Sequence, residues 1–201
     1  MRQGDTERLR EWMEGAGVAF GVIDSLTPLV GGTQNILLRF RMGDEDLVVR
    51  RPAQDAPPEA SATLAREARV LEALNGSAVP HARFRAFCMD PEILGAAFLV
   101  TDAVEGFNAG VGLSNQAAHD PGVRHKMGIE AVDGIVELAK FDYKKRQLED
   151  FGHLDQFIER QRGRWSRQLA DYRRYASWPG PEALGPVSEV GDWLASNLPS
   201  S

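Results

Sequence analysis

Cysteine is almost absent: Cys88 stands alone in 201 residues. A disulfide framework and a cysteine-rich metal site are therefore excluded, and the chain reads as one suited to a reducing, cytoplasmic compartment. There is no apolar run long enough to span a bilayer. The stretch from Met1 to Arg10 is polar and lacks the apolar segment of a secretory signal. Long basic runs are missing as well: 23 Lys+Arg face 29 Asp+Glu, for a formal net charge of -6 and a pI of about 5.3. Nucleic acid and membrane partners are not expected on that balance, and an anionic ligand would need a local cluster of positive charge. His81, His119 and His125 show no ligand spacing, so no metal site is expected. What remains is ordinary globular composition, 43% hydrophobic and 26% charged, with no repeat or low-complexity tract. That is enough chain for one domain or two small lobes.

The pattern along the chain changes once. Asp5 can cap a helix carrying Leu9, Trp12 and Met13 on one face, with Gly15 and Gly17 as stop signals. Phe20 to Leu29 is extended, and Gly31-Gly32-Thr33 is a turn signal. Asn35 to Arg41 alternates, with Ile36, Leu38 and Phe40 on one face and Leu37, Arg39 and Arg41 on the other. The polar turn Gly43-Asp44-Glu45-Asp46 leads to a second strand, Leu47-Val48-Val49-Arg50, which predicts a β-hairpin. A proline-rich loop, Pro52 to Pro58, precedes a helix over 61–74, ended by Asn75-Gly76. Ala82 to Met89 and Ala97 to Thr101 read as two further strands, separated by Asp90-Pro91. Beyond Gly106 strand signals vanish. A connector to Pro121 is followed by helices predicted over 123–141, 154–172 and 181–198. Trp165, at helical spacing, reads as a core residue. The order of elements is that of an α+β protein: five strands with one inserted helix, then helices only.

Several segments in this order resemble the aminoglycoside phosphotransferase family and its kinase-like fold. Val30-Gly31-Gly32-Thr33-Gln34-Asn35 sits where a glycine-containing loop lies over nucleotide phosphates. Leu47-Val48-Val49-Arg50 takes the place of the strand bearing the phosphate-binding cation, and Arg66-Glu67-Ala68-Arg69 the place of the helix whose glutamate holds that cation. Phe98 to Gly106 resembles the last strand and hinge. Ile158-Glu159-Arg160-Gln161 with Arg164-Trp165 is similar to a helix of the subgroup related to the kinase domain fused to some acyl-CoA dehydrogenases. The resemblance implies a protein-kinase-like architecture: a five-stranded antiparallel N-lobe with one inserted helix over 1–105, and the helical start of an incomplete C-lobe over 106–201.

It also implies a chemistry. Phosphoryl transfer depends chiefly on positioning and charge neutralisation. Glycines let backbone N–H groups approach phosphate oxygens, a strand cation holds the phosphates, and a helix glutamate fixes the cation. The nucleotide-binding residues implied are Gly31, Gly32, Thr33, Asn35, Arg50 and Glu67, with Asp102 and Val104 offering hinge backbone to adenine and Thr101 lining the pocket behind. The implied partners are ATP with Mg2+ and a small-molecule hydroxyl substrate, of hydroxyacyl rather than aminoglycoside type. Arginine replaces the usual lysine at Arg50, and Arg51 beside it points to the opposite face; either is a candidate for the phosphate side.

Two tripeptides imitate catalytic motifs. Asp150-Phe151-Gly152 and His153-Leu154-Asp155 come in the wrong order, and Arg160 stands where a metal-binding asparagine is required, so both read as the start of a helix. The family's histidine-glycine-aspartate loop and its magnesium ligands are not in this sequence, so no catalytic residue and no metal ligand are assigned. The expectation is an N-terminal portion, inactive alone, whose later helices are incompletely covered and prone to associate. The alternatives are a non-catalytic nucleotide-binding or interaction module, and an unrelated α+β binding protein in which Arg50 and Glu67 never meet.

Overall fold

In the computed structural model, which describes residues 3–29, 35–53, 56–57, 59–152 and 157–198, the first helix, α1 (Gln3–Gly15), begins before the expected cap. Asp5 lies inside its first turn, buried, and pairs with Arg8 at 2.5 Å. The acidic side chain acts within the turn rather than at its edge. The helix ends as its glycines predict: Gly17 takes a φ of 67°, its N–H reaches Glu14 O at 3.1 Å, and Val18 N–H reaches Met13 O at 2.9 Å, a Schellman closure.

Five strands follow in an antiparallel sheet of order β1-β2-β3-β5-β4. They are β1 (Ile23–Leu29), β2 (Asn35–Met42), β3 (Glu45–Pro52), β4 (Phe84–Cys88) and β5 (Phe98–Asp102), with α2 (Ala60–Leu74) inserted between β3 and β4. The β2–β3 turn is tighter than the polar run suggests. Met42 pairs directly with Glu45, leaving Gly43 and Asp44 as the turn. Gly43 has a φ of 60°, and a Cβ there would stand 2.6 Å from the carbonyl oxygen of Phe20, so only glycine fits. Between β4 and β5, Asp90-Pro91 does more than separate strands. It opens a short helix, α3 (Pro91–Leu94), whose first turn Asp90 caps by accepting from Glu92 N–H at 2.9 Å.

Alternation divides the sheet between two cores. Phe40, Met42, Leu47, Val49, Phe98 and Val100 face α1 and pack with Leu9 and Met13. Trp12 meets the Phe98 ring edge-on, with centroids 4.7 Å apart. On the other face Leu99 packs against Leu64 and Ala68 of α2, with Leu71, Phe84 and Phe87 around them. Asn75, at the end of α2, ties that helix to β4. Its amide donates to Phe84 O at 2.9 Å and accepts from Phe84 N–H at 3.1 Å, replacing a missing strand partner.

The connector after Gly106 holds a short helix that its weak pattern concealed, α4 (Asn115–His119), capped by Ser114. Next comes α5 (Pro121–Lys140), capped by Asp120 and lacking any buried residue. Ile129, Val132, Ile135, Val136 and Leu138 are all exposed on it. The chain divides into two compact units, Met1–Leu148 and Glu149–Ser201. Among the described residues the second holds α6 (Phe157–Asp171), α7 (Val187–Ser196) and three 3-10 turns. The helix expected over 181–198 is in fact a 3-10 turn, Pro181–Leu184, followed by α7, because Gly185 and Pro186 interrupt it. Trp165 is 58% exposed. It lines an open cleft between α6 and α7 and is not a core residue, since two helices alone cannot enclose a side chain of that size.

Candidate functional site

The face of the sheet covered by α2 is where the polar candidates gather. Residues paired directly across antiparallel strands share a face. Leu37, Arg50 and Leu99 form one such row, and Arg39, Val48 and Thr101 form the next. Beside them opens a cleft of about 480 Å³, lined by Asn35 and Arg50 from the strands and by Pro57, Glu59, Thr63 and Glu67 from the loop and α2.

Arg50 and Glu67 form an ion pair across this cleft. That contact answers the question of register. Pairing of Arg50 with Leu37 turns its side chain toward α2, whereas Arg51 pairs with Ile36 on the opposite face and, among the described residues, donates to the carbonyl of Pro52 at 3.4 Å. Burial pushes the Arg50 guanidinium below its ordinary value, yet an arginine remains charged at any physiological pH. Its Nε–H is buried and has no hydrogen-bond partner among the described residues. A buried, unsatisfied donor on a half-exposed cation is a group that an anion entering the cleft would satisfy. The N-terminus of α2 opens into the same cleft through Glu59, Ala60 and Thr63. The helix dipole there adds a favourable potential for negative charge. Glu59 and Glu67 oppose this, so Arg50 and the helix end must outweigh two carboxylates, one of them already neutralised by the ion pair.

The remaining candidates divide. Asn35 pairs with Pro52 and borders the cleft. Thr101 is buried on the Arg50 face of β5. Asp102 sends its side chain to the other face, 2.9 Å from Arg85 Nε, while its N–H bonds Arg83 O at 2.9 Å. Ala103 N–H bonds Asp46 O at 2.9 Å, and Val104 is exposed. Gly31, Gly32 and Thr33 lie outside the described residues, as do His153, Leu154 and Asp155. Asp150 and Phe151 form a short 3-10 turn in the second unit. Among the described residues no group of three His, Cys, Asp or Glu side chains could hold a metal ion, and no helix is long and apolar enough to cross a membrane.

Sequence reasoning missed the ionic surroundings of the hinge. Arg39 makes a bidentate contact with Asp46, at 3.0 and 2.6 Å, and also contacts Glu105. The arginine holds the Asp46 carboxyl below its ordinary value. Arg85, 16% exposed, contacts both Glu45 and Asp102. Alternation placed Arg39 on the polar face but could not show which carboxylates would reach it.

Comparison with known proteins gives the family and the fold. The model of a phosphotransferase enzyme family matches residues 25–201. A crystal structure of a candidate aminoglycoside phosphotransferase from Ralstonia eutropha superposes with a TM-score of 0.71 at 26% identity, over 98% of this chain and 54% of that one. "Probable acyl-CoA dehydrogenase IBR3" of Arabidopsis thaliana is 27% identical over 84% of the chain and 20% of its own length. Human acyl-CoA dehydrogenase family member 11 is 24% identical over 96% of the chain and 24% of its own length. The chain thus spans a quarter or less of these two relatives and about half of the structural neighbour.

Proposed function

For a chain that belongs to the phosphotransferase enzyme family, we propose that residues 1–105 form the ATP-binding lobe of a kinase acting on a hydroxyl group of a small molecule, and that 106–201 begin the lobe that receives that molecule. The observation that carries this reading is the Arg50–Glu67 ion pair at the mouth of a cleft, with the Arg50 Nε–H left unsatisfied. In this reading Arg50 holds phosphate oxygens, Glu67 fixes its rotamer, and Asn35 borders the phosphates. The Asp102 carbonyl and Val104 N–H meet the adenine edge, and Thr101 lines the pocket behind it. ATP would supply the transferable phosphoryl group and Mg2+ would balance its charge. No base or metal ligand for the transfer is assigned among these residues, so this chain by itself is expected to bind nucleotide and not to turn it over. The acyl-CoA dehydrogenase names of its relatives favour a hydroxyacyl substrate over an aminoglycoside.

Calorimetric titration with ATP, with and without magnesium, tests the reading. Arg50→Ala removes a charge-assisted contact to phosphate, which should weaken ATP binding by about tenfold or more. Unchanged affinity in that variant would sink the assignment of Arg50.

A further inference from the structure

Each face of the sheet carries an arginine that links the β2–β3 hairpin to the end of β5 or to the segment just after it. On the α2 face Arg39 joins Asp46 to Glu105. On the α1 face Arg85 joins Glu45 to Asp102. Between these contacts the backbone adds a third tie, from Ala103 N–H to Asp46 O at 2.9 Å. Two adjacent hairpin residues thereby hold Asp102, Ala103 and Glu105, and leave Val104 with an exposed side chain and its N–H outside the sheet ladder.

We propose that Arg39 and Arg85 are positioning residues, which clamp the 102–105 segment to Glu45 and Asp46 so that the Val104 N–H is held ready for the hydrogen-bonding edge of a heteroaromatic base. This rests on the nucleotide reading above. The physical gain is pre-organisation. A post-strand segment with free ends must be ordered by its ligand, and a clamped one is ordered already. The two arms differ in kind. Glu105 is 84% exposed, so the Arg39 arm is strongly screened by salt, while the Arg85 arm, with Arg85 16% and its partners Glu45 and Asp102 46% and 34% exposed, is screened less.

The test uses the 201-residue chain as it stands, as wild type, Arg39→Gln and Arg50→Ala, each checked for cooperative thermal unfolding. Calorimetry is run with two probes, ATP and inorganic tripolyphosphate, and hydrogen exchange of the 102–105 amides is followed in parallel. Arg39→Gln should weaken ATP binding by about three- to fivefold, leave tripolyphosphate binding unchanged, and speed exchange at Val104. Arg50→Ala should weaken both probes. If Arg39→Gln leaves ATP affinity unchanged, or weakens both probes equally, the clamp is overturned while the nucleotide reading stands. If the wild type binds neither probe, the nucleotide reading fails and takes the ligand role of the clamp with it. Exchange at Val104 then decides whether the mechanical tie exists, and an unchanged rate in Arg39→Gln rejects it.

Discussion

At the scale of single residues, the site turns on which way one arginine points. Arg50 and Arg51 are chemically equivalent in the sequence, and only the pairing of β2 with β3 directs Arg50 to Glu67. A register slip of one residue would exchange them. Gly43 carries a similar share of the geometry. With its φ of 60° and the Phe20 carbonyl 2.6 Å from any Cβ, Gly43→Ala adds a clash to backbone strain at the turn that sets this register. The variant should lose about 1–3 kcal/mol of stability, measured as a drop in the urea midpoint at constant m-value. The arginine that replaces the usual lysine fits its surroundings. A planar guanidinium can meet the Glu67 carboxylate through one nitrogen and keep further donors in a fixed fork, whereas an ammonium binds from one point.

Among elements, α2 decides whether the site exists. It reaches the sheet through Leu64 and Ala68 against Leu99, and the same contact places Glu67, three residues after Leu64, beside Arg50. Leu64→Ala should cost about 2–4 kcal/mol in chemical denaturation. It should also weaken ATP binding more than the stability loss alone accounts for, because it loosens the helix that holds the ion pair. Titration of the folded variant well below its midpoint separates the two effects. The strands and the long helices were legible because period-2 and period-3.6 patterns are local. The helices α3 and α4 were not. With four and five residues, they are too short to show a period and are held by the caps Asp90 and Ser114 instead.

Over the described residues, the candidate site lies on the α2 face of the sheet, while apolar surface stays open elsewhere. Ile129, Val132, Ile135, Val136 and Leu138 of α5 are between 41% and 67% exposed. Because these side chains bury little, Val132→Ser with Ile135→Ser should change unfolding free energy by about 0.5 kcal/mol or less per site. A loss of several kcal/mol in thermal unfolding would show instead that the face is covered in solution. The sequence by itself determined the α+β order of elements, the two faces of β2, and a cation and a carboxylate at positions where a kinase-like lobe places them. The first two follow from local periodicity, and the third from the resemblance to the phosphotransferase family. Only the tertiary structure decided that Arg50 rather than Arg51 meets Glu67, that Arg39 reaches Glu105 and Arg85 reaches Asp102, and that Trp165 is exposed. Those facts depend on strand register and on side chains dozens of residues apart, and no pattern along the chain records which charge will find which partner.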